Sequence, residues 1–171
     1  MRLHNLLLVL PLFATGCFEE EIGVSLFYSY SDVSVAVEQK TLVATLEGAF
    51  TINFKLGVRA SQASDVSFGS FSLVREGEGP PVIEREHLSV VTGVSAPLHL
   101  EPGDEASLKF IIGFQDHPGA AVTPMEVSTS DYATVCAAGK LRIQGMVEDS
   151  ANGNRPVPAL SPEFLPGGCA Q

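Results

Sequence analysis

From Gly23 onward, apolar and polar residues alternate with a period of two over most of the chain. Phe50, Ile52, Phe54, Leu56 and Val58 fall on one side of such a run; Thr51, Asn53, Lys55, Gly57 and Arg59 fall on the other. Leu108, Phe110, Ile112 and Phe114 repeat the pattern, with Ile111 adding apolar character to the second side. Leu141, Ile143 and Val147 alternate with Lys140, Arg142, Gln144 and Glu148, and shorter matches occur at Val24-Leu26-Tyr28, Val33-Val35-Val37, Val66-Phe68 and Leu98-Leu100. A helix would turn such alternate residues to opposite sides, whereas a strand keeps them on one face. The runs therefore predict strands with one face buried.

Reversal signals separate these runs. Gly77-Glu78-Gly79-Pro80-Pro81, Glu101-Pro102-Gly103-Asp104, Asp116-His117-Pro118-Gly119 and Asn152-Gly153-Asn154 combine the residues that favour turns. About seven or more short strands with one-sided alternation predict an all-β fold, an antiparallel β-sandwich that is immunoglobulin-like in the broad sense. The chain has no Trp, so the Cys-Trp-Cys signature of true immunoglobulin domains is missing. A small barrel is the alternative arrangement. One short helix is expected near 131–138, with Ser130 as its cap and Gly139 as its stop, although a strand through Tyr132 to Val135 fits the same residues. Residues Arg155 to Gly168 contain Pro156, Pro158, Pro162 and Pro166, which predicts an extended edge segment.

The first residues follow another pattern. Met1-Arg2-Leu3-His4-Asn5 carries one firm positive charge, and Leu6 to Ala14 is an uncharged apolar run of signal-peptide length. That run is far short of the ~20 residues a spanning helix needs. Ala14-Thr15-Gly16-Cys17 resembles the lipobox of bacterial lipoprotein precursors, with Ala14 where Leu is usual. The resemblance covers only these first residues. It implies cleavage before Cys17, a diacylglyceryl group on that thiol and a cell-envelope location. Phe18 stands where an Asp would signal inner-membrane retention, so the outer membrane is expected if the cell has two. Two or three acyl chains anchor stably, at ~0.8 kcal/mol per buried CH2. An ordinary secretory signal cut nearby is the competing reading. The organisation expected is a signal peptide at 1–16, a lipidated tether at 17–22 and a single sandwich domain at 23–171. The five residues Phe18 to Ile22 reach at most ~17 Å, which keeps the domain close to the membrane.

Three cysteines occur, Cys17, Cys136 and Cys169. With Cys17 lipidated, Cys136 and Cys169 remain as a natural pair, 33 positions apart, whose disulfide would pin the proline-rich tail. Two free thiols are the alternative. The net charge is −10, and it becomes one unit more negative when Arg2 leaves with the leader. Phosphates and anionic headgroups repel such a surface, so nucleic acid is not expected as a partner.

Candidate chemistry is sparse. Gly93-Val94-Ser95-Ala96-Pro97 misses the nucleophile elbow, because Pro97 replaces the closing glycine and no helix pattern follows. His87, His99 and His117 are widely spaced and match no metal-ligand motif, so no metal and no cofactor are expected. Glu148-Asp149-Ser150-Ala151-Asn152-Gly153-Asn154 gathers oxygen ligands that could take Ca2+, but it lacks the spacing of an EF-hand, and Asx-turn chemistry accounts for the same residues. Phe18, Phe27, Tyr28 and Tyr30 form an aromatic cluster that either stacks on a sugar or packs into the core. No catalytic residues are assigned. The expected function is a membrane-anchored, non-catalytic binding or structural module contacting another envelope protein, and the alternative is a small-ligand or glycan binder.

Overall fold

The computed structural model describes residues 26–76 and 80–169. The expected signal peptide, lipid site Cys17 and tether, together with Phe18, Val24 and residues 77–79 of an expected turn, lie outside the described residues. The described chain is an all-β sandwich of two antiparallel sheets. One sheet runs β1 (Leu26–Gln39), β2 (Ala44–Leu56), β6 (Glu105–Ile112), β4 (Val90–Thr92), with β7 (Met125–Val127) pairing the start of β2. The other runs β5 (Leu98–Leu100), β3 (Ser64–Arg75), β8 (Leu141–Asp149), β9 (Val157–Leu160). No described helix is long and apolar enough to cross a membrane.

Leu26 and Tyr28 of the first short run and Val33-Val35-Val37 of the second belong to one strand. Their inward parity changes from even to odd, and a one-residue slip would turn every later side chain to the other face. A β-bulge absorbs the change: Ser31 pairs with Thr51 and Ser34 with Ala49, so Asp32 and Val33 together oppose Phe50. β3 does the same. Gly69 pairs with Met146 and Ser72 with Gln144, so Ser70 and Phe71 oppose Gly145, and inward parity passes from Val66 to Leu73. Asp32 and Ser70 both take φ of 52°, the left-handed conformation a bulge of this kind requires.

The core lies at the level of these bulges. Phe50 and Phe110 stack at 5.0 Å between ring centroids, Phe71 meets both edge-on at 5.1 Å, and Tyr30 lies 5.7 Å from Phe50. Phe68 meets Phe110 edge-on and extends the cluster to Phe54. Each such pair contributes about 0.5–1.5 kcal/mol beyond its buried area. β8 alternates buried and half-buried residues along its full length, and its central inward position is Gly145. Phe71 and Tyr30 fill the space there: a Cβ on Gly145 would stand 2.6 Å from the Phe71 ring and 2.9 Å from the Tyr30 hydroxyl.

Two expected core residues are not in it. Val58 is 74% exposed, because β2 ends at Leu56 where the chain turns. Phe114 is half exposed, because β6 ends at Ile112 and Phe114 instead bridges Thr123. The helix α1 spans Thr129–Ala137, beginning earlier than expected. Its cap is Ser128: the Ser128 Oγ accepts from the Asp131 amide at 3.0 Å, and the Asp131 carboxylate accepts from the Ser128 amide at 3.3 Å. This reciprocal box satisfies two of the orphan donors at the helix start, and it outcompetes a cap at Ser130. Gly139 lies just past the helix end, and Val135 is buried in the core.

The proline-rich tail closes one side of the sandwich. β9 pairs β8 at the sheet edge, where Pro158 costs no ladder bond in a central strand. The Tyr28 and Tyr30 hydroxyls of β1 donate to the Pro158 and Ala159 carbonyls at 3.4 and 3.3 Å, so β1 latches onto β9 across the layer gap. Burial pushes the Tyr30 phenol up, which keeps it a neutral donor. Beyond β9, Leu141 and Phe164 exchange backbone hydrogen bonds, and Gly167 bonds to Val35 and Val37 of the opposite sheet. Gly168 has φ of 79° and passes so close to the Val37 carbonyl that a Cβ would collide with it. Glu163 of the tail accepts from Arg142 at 2.7 Å and Lys140 at 3.0 Å, and these cations hold its carboxyl down to about 2. The Cys136–Cys169 disulfide, with Cα atoms 5.4 Å apart, then ties the tail to α1.

Two outcomes follow. Gly145→Ala should lower unfolding free energy by about 1–3 kcal/mol, the usual cost of overpacking, with the loss read from denaturant midpoints. Replacing Cys136 and Cys169 together by alanine should cost roughly 3–4 kcal/mol by loop-closure entropy, with the tail amides 161–169 losing hydrogen-exchange protection first.

Candidate functional site

The strand directions fix two ends. β1 begins at Leu26 beside Leu56, the end that also carries the turn at 101–104 and the short 3-10 turn Ser150–Asn152. The opposite, far end carries the 40–43 hairpin, α1, the 113–124 connection and the tail. Leu42 at the hairpin tip is 87% exposed.

The outer face of the first sheet changes character between these ends. Near the entry end it is polar. Asn53 donates to the Ser31 hydroxyl at 3.1 Å and accepts from Ser107 at 2.7 Å, and Lys55 pairs with Glu105. Toward the far end the outward row is Ser34, Ala49, Ile111 and Val91, followed by Ala36 beside Glu47. A groove of about 550 Å³ lies over this row, lined by Ala36, Ala49, Ile111, Val122 and Leu165 with the polar Ser34, Glu47 and Thr123 among them. Leu165, from the tail, is 73% exposed. A second depression of about 890 Å³ shares Ile111 and Val122 with the first and continues past Val91 and Gln115. Small residues at Ala36 and Ala49 leave the floor low, while Ile111, Val122 and Leu165 offer apolar contact. Together the two depressions, which share Ile111 and Val122, make one open, mainly apolar trough across four strands. Exposed carboxylates of Glu38, Glu47 and Glu126 stand at its far-end margin, with Lys40 pairing Glu38 at 3.6 Å.

The residues that the sequence singled out fare differently. Cys136 and Cys169 come together. Tyr28 and Tyr30 point to β9, so the aromatic cluster divides: among its described members only Phe27 is exposed, beside a depression of about 370 Å³ that Asn53, Lys55 and Ser107 also line. Ser95 lies exposed in the loop between β4 and β5. His87, His99 and His117 sit on separate segments, and no described group of three or more His, Cys, Asp or Glu side chains is arranged to hold a metal ion. In the acidic loop, Asp149 is buried; it accepts from the Ser64 hydroxyl, the Ala151 amide and the Asn152 side chain, so its oxygens cap the 3-10 turn as an Asx turn does. The trough itself was not anticipated. Its one sequence signal is the small or apolar residue at outward positions Ala36, Ala49 and Ile111, where neighbouring outward positions are polar.

His99 forms a surface cluster with two carboxylates, Asp65 at 2.7 Å from Nδ1 and Glu101 at 3.3 Å from Nε2. The Asp65 hydrogen bond, then that of Glu101, raise its pKa above the usual imidazole value. NMR titration should find His99 ionising above the free histidine value, and Asp65→Asn should bring it back down. Comparison of the chain with protein-family models, with curated proteins and with solved structures gave no match, so the geometry of the trough and of the two ends carries the functional argument.

Proposed function

We propose that the protein is a bacterial envelope lipoprotein, anchored by acyl chains on Cys17, whose sandwich is a non-catalytic module that binds another envelope protein. The observation that carries this reading is the mainly apolar trough, uncovered among the described residues, toward the end of the sandwich opposite Leu26. A domain tethered at Leu26 would present its entry end to the membrane and its trough away from it. Apolar surface of this kind, contiguous and rimmed by polar residues, marks interaction sites on soluble domains. The Ala14-Thr15-Gly16-Cys17 sequence supports the anchor, and pairing of Cys136 with Cys169 leaves Cys17 as the remaining thiol for lipid. The absence of Asp after Cys17 favours the outer membrane in a cell with two.

A glycan-binding reading has one specific observation in its favour, the exposed Phe27 beside Asn53 and Ser107. That depression lies near the entry end, where a membrane-tethered domain is least accessible, so the protein-binding reading is preferred.

Intact mass spectrometry of the mature wild type should show a lipid increment, and Cys17→Ser should accumulate as unlipidated precursor. A photocrosslinking residue at Leu42 or Leu165 should capture a reproducible envelope protein from intact cells. Equal, lipid-free masses would overturn the anchor. Capture of nothing specific from either position would overturn the binding reading.

A further inference from the structure

We infer that the trough takes an extended, positively charged apolar segment of the partner protein. This rests on the reading of the domain as a protein-binding module, and it adds the site and the chemistry of what fills it.

Three features select this occupant. First, the trough is open along its length and crosses the strands β1, β2, β6 and β4, whereas a small-molecule site encloses most of its ligand. An open apolar channel suits a chain that lays alternate side chains into it. Second, its floor is built from small outward residues. Ala36 and Ala49 let a backbone approach the sheet closely, and Ile111, Val122 and Leu165 flank the gap with apolar contacts. Third, its far-end margin is acidic. Glu38, Glu47 and Glu126 are exposed on the same face, whereas Lys40 pairs with Glu38 at the hairpin and Lys109 lines the second depression.

Charge then discriminates among occupants. A second copy of this chain, at net −10, would bring acidic margin against acidic margin. Anionic lipid headgroups meet the same repulsion. An extended segment with Val, Ile or Leu at alternate positions lays those side chains over Ala49 and Ile111, and Lys or Arg residues flanking that run reach Glu47 and Glu126. The charges steer encounter and set register, and the apolar floor supplies most of the affinity.

The test uses the mature, lipidated protein in detergent and a short fluorescent peptide of alternating valine and threonine flanked by lysines, with the same peptide flanked by glutamates as its counterpart. Binding is read by anisotropy. The lysine peptide should bind, more weakly as salt rises, and the glutamate peptide should not. Ala49→Arg, which fills the floor and places a cation there, should weaken binding by about tenfold or more, the loss typical of a central contact. Glu47→Lys should weaken it and flatten its salt dependence. Ser67→Lys, on the outer face of the other sheet, should leave it unchanged, and matching thermal unfolding of all three variants would show that the fold is kept. Absence of binding by the lysine peptide, equal binding of the two peptides, or indifference to Ala49→Arg and Glu47→Lys would overturn the inference. The same variants separate this failure from failure of the broader reading. Envelope capture through Leu42 that persists unchanged in Ala49→Arg retains a binding module with its site elsewhere; loss of all capture in the wild type removes the module itself.

Discussion

A strand shows its two faces alternately, and that constraint governs this molecule because its longest strands change parity midway. In β1 the inward residues run Tyr28, Tyr30 and then Val33, Val35, Val37; in β3 they run Val66, Phe68 and then Phe71, Leu73. Without an extra residue at the change, half of each strand would turn its apolar side chains to water. The bulges at Asp32–Val33 and Ser70–Phe71 supply that residue, one in each sheet, and both reach the same layer of the core. Phe50, opposite the first bulge, touches Phe71, which belongs to the second. Left-handed backbone at Asp32 and Ser70 costs roughly 1–2 kcal/mol each, small against the burial that it permits in Tyr30, Val35, Phe71 and Leu73.

The same geometry sets what lies outside. Once Val33, Val35 and Val37 turn inward, Ser34 and Ala36 turn outward beside Ala49, and they make the floor of the trough. The tail contributes Leu165 to its lining and is itself held by β8, by Gly167 on β1 and by the disulfide to α1. Core packing, tail attachment and the candidate binding surface thus share one strand. Substitutions that disturb β1 near Asp32 should be felt in all three.

Much of this was legible in the sequence. Alternation marked the strands, the all-β sandwich followed from it, and the cysteine pairing agreed with the geometry. The parity change in β1 was also present in the residues, but two short matches of opposite parity read more naturally as two strands than as one bulged strand. Alternation places Val58 and Phe114 on buried faces because it does not reveal where a strand stops; a turn from Gly57 and a bend at Gly113 end the two runs. The helix began at Ser128 because an Asp three residues on completes a capping box, a stronger local signal than the serine nearest the apolar run. The trough was hidden for a different reason: it depends on Leu165, Val122 and Ile111 meeting over the sheet from three separate segments, and spacing along one strand carries no trace of that.

The most direct measurement compares two single-residue deletions by equilibrium unfolding. Deleting Asp32 removes the extra residue, so Val33 pairs with Phe50 and every later side chain keeps its face. Deleting Ser34 leaves the strand one residue short below the bulge, and regular pairing would then put Asp32 inside and Val33 outside. The account predicts cooperative unfolding within about 2 kcal/mol of the parent for the first, and a loss beyond about 4 kcal/mol or no cooperative transition for the second. Equal losses for the two deletions would contradict it.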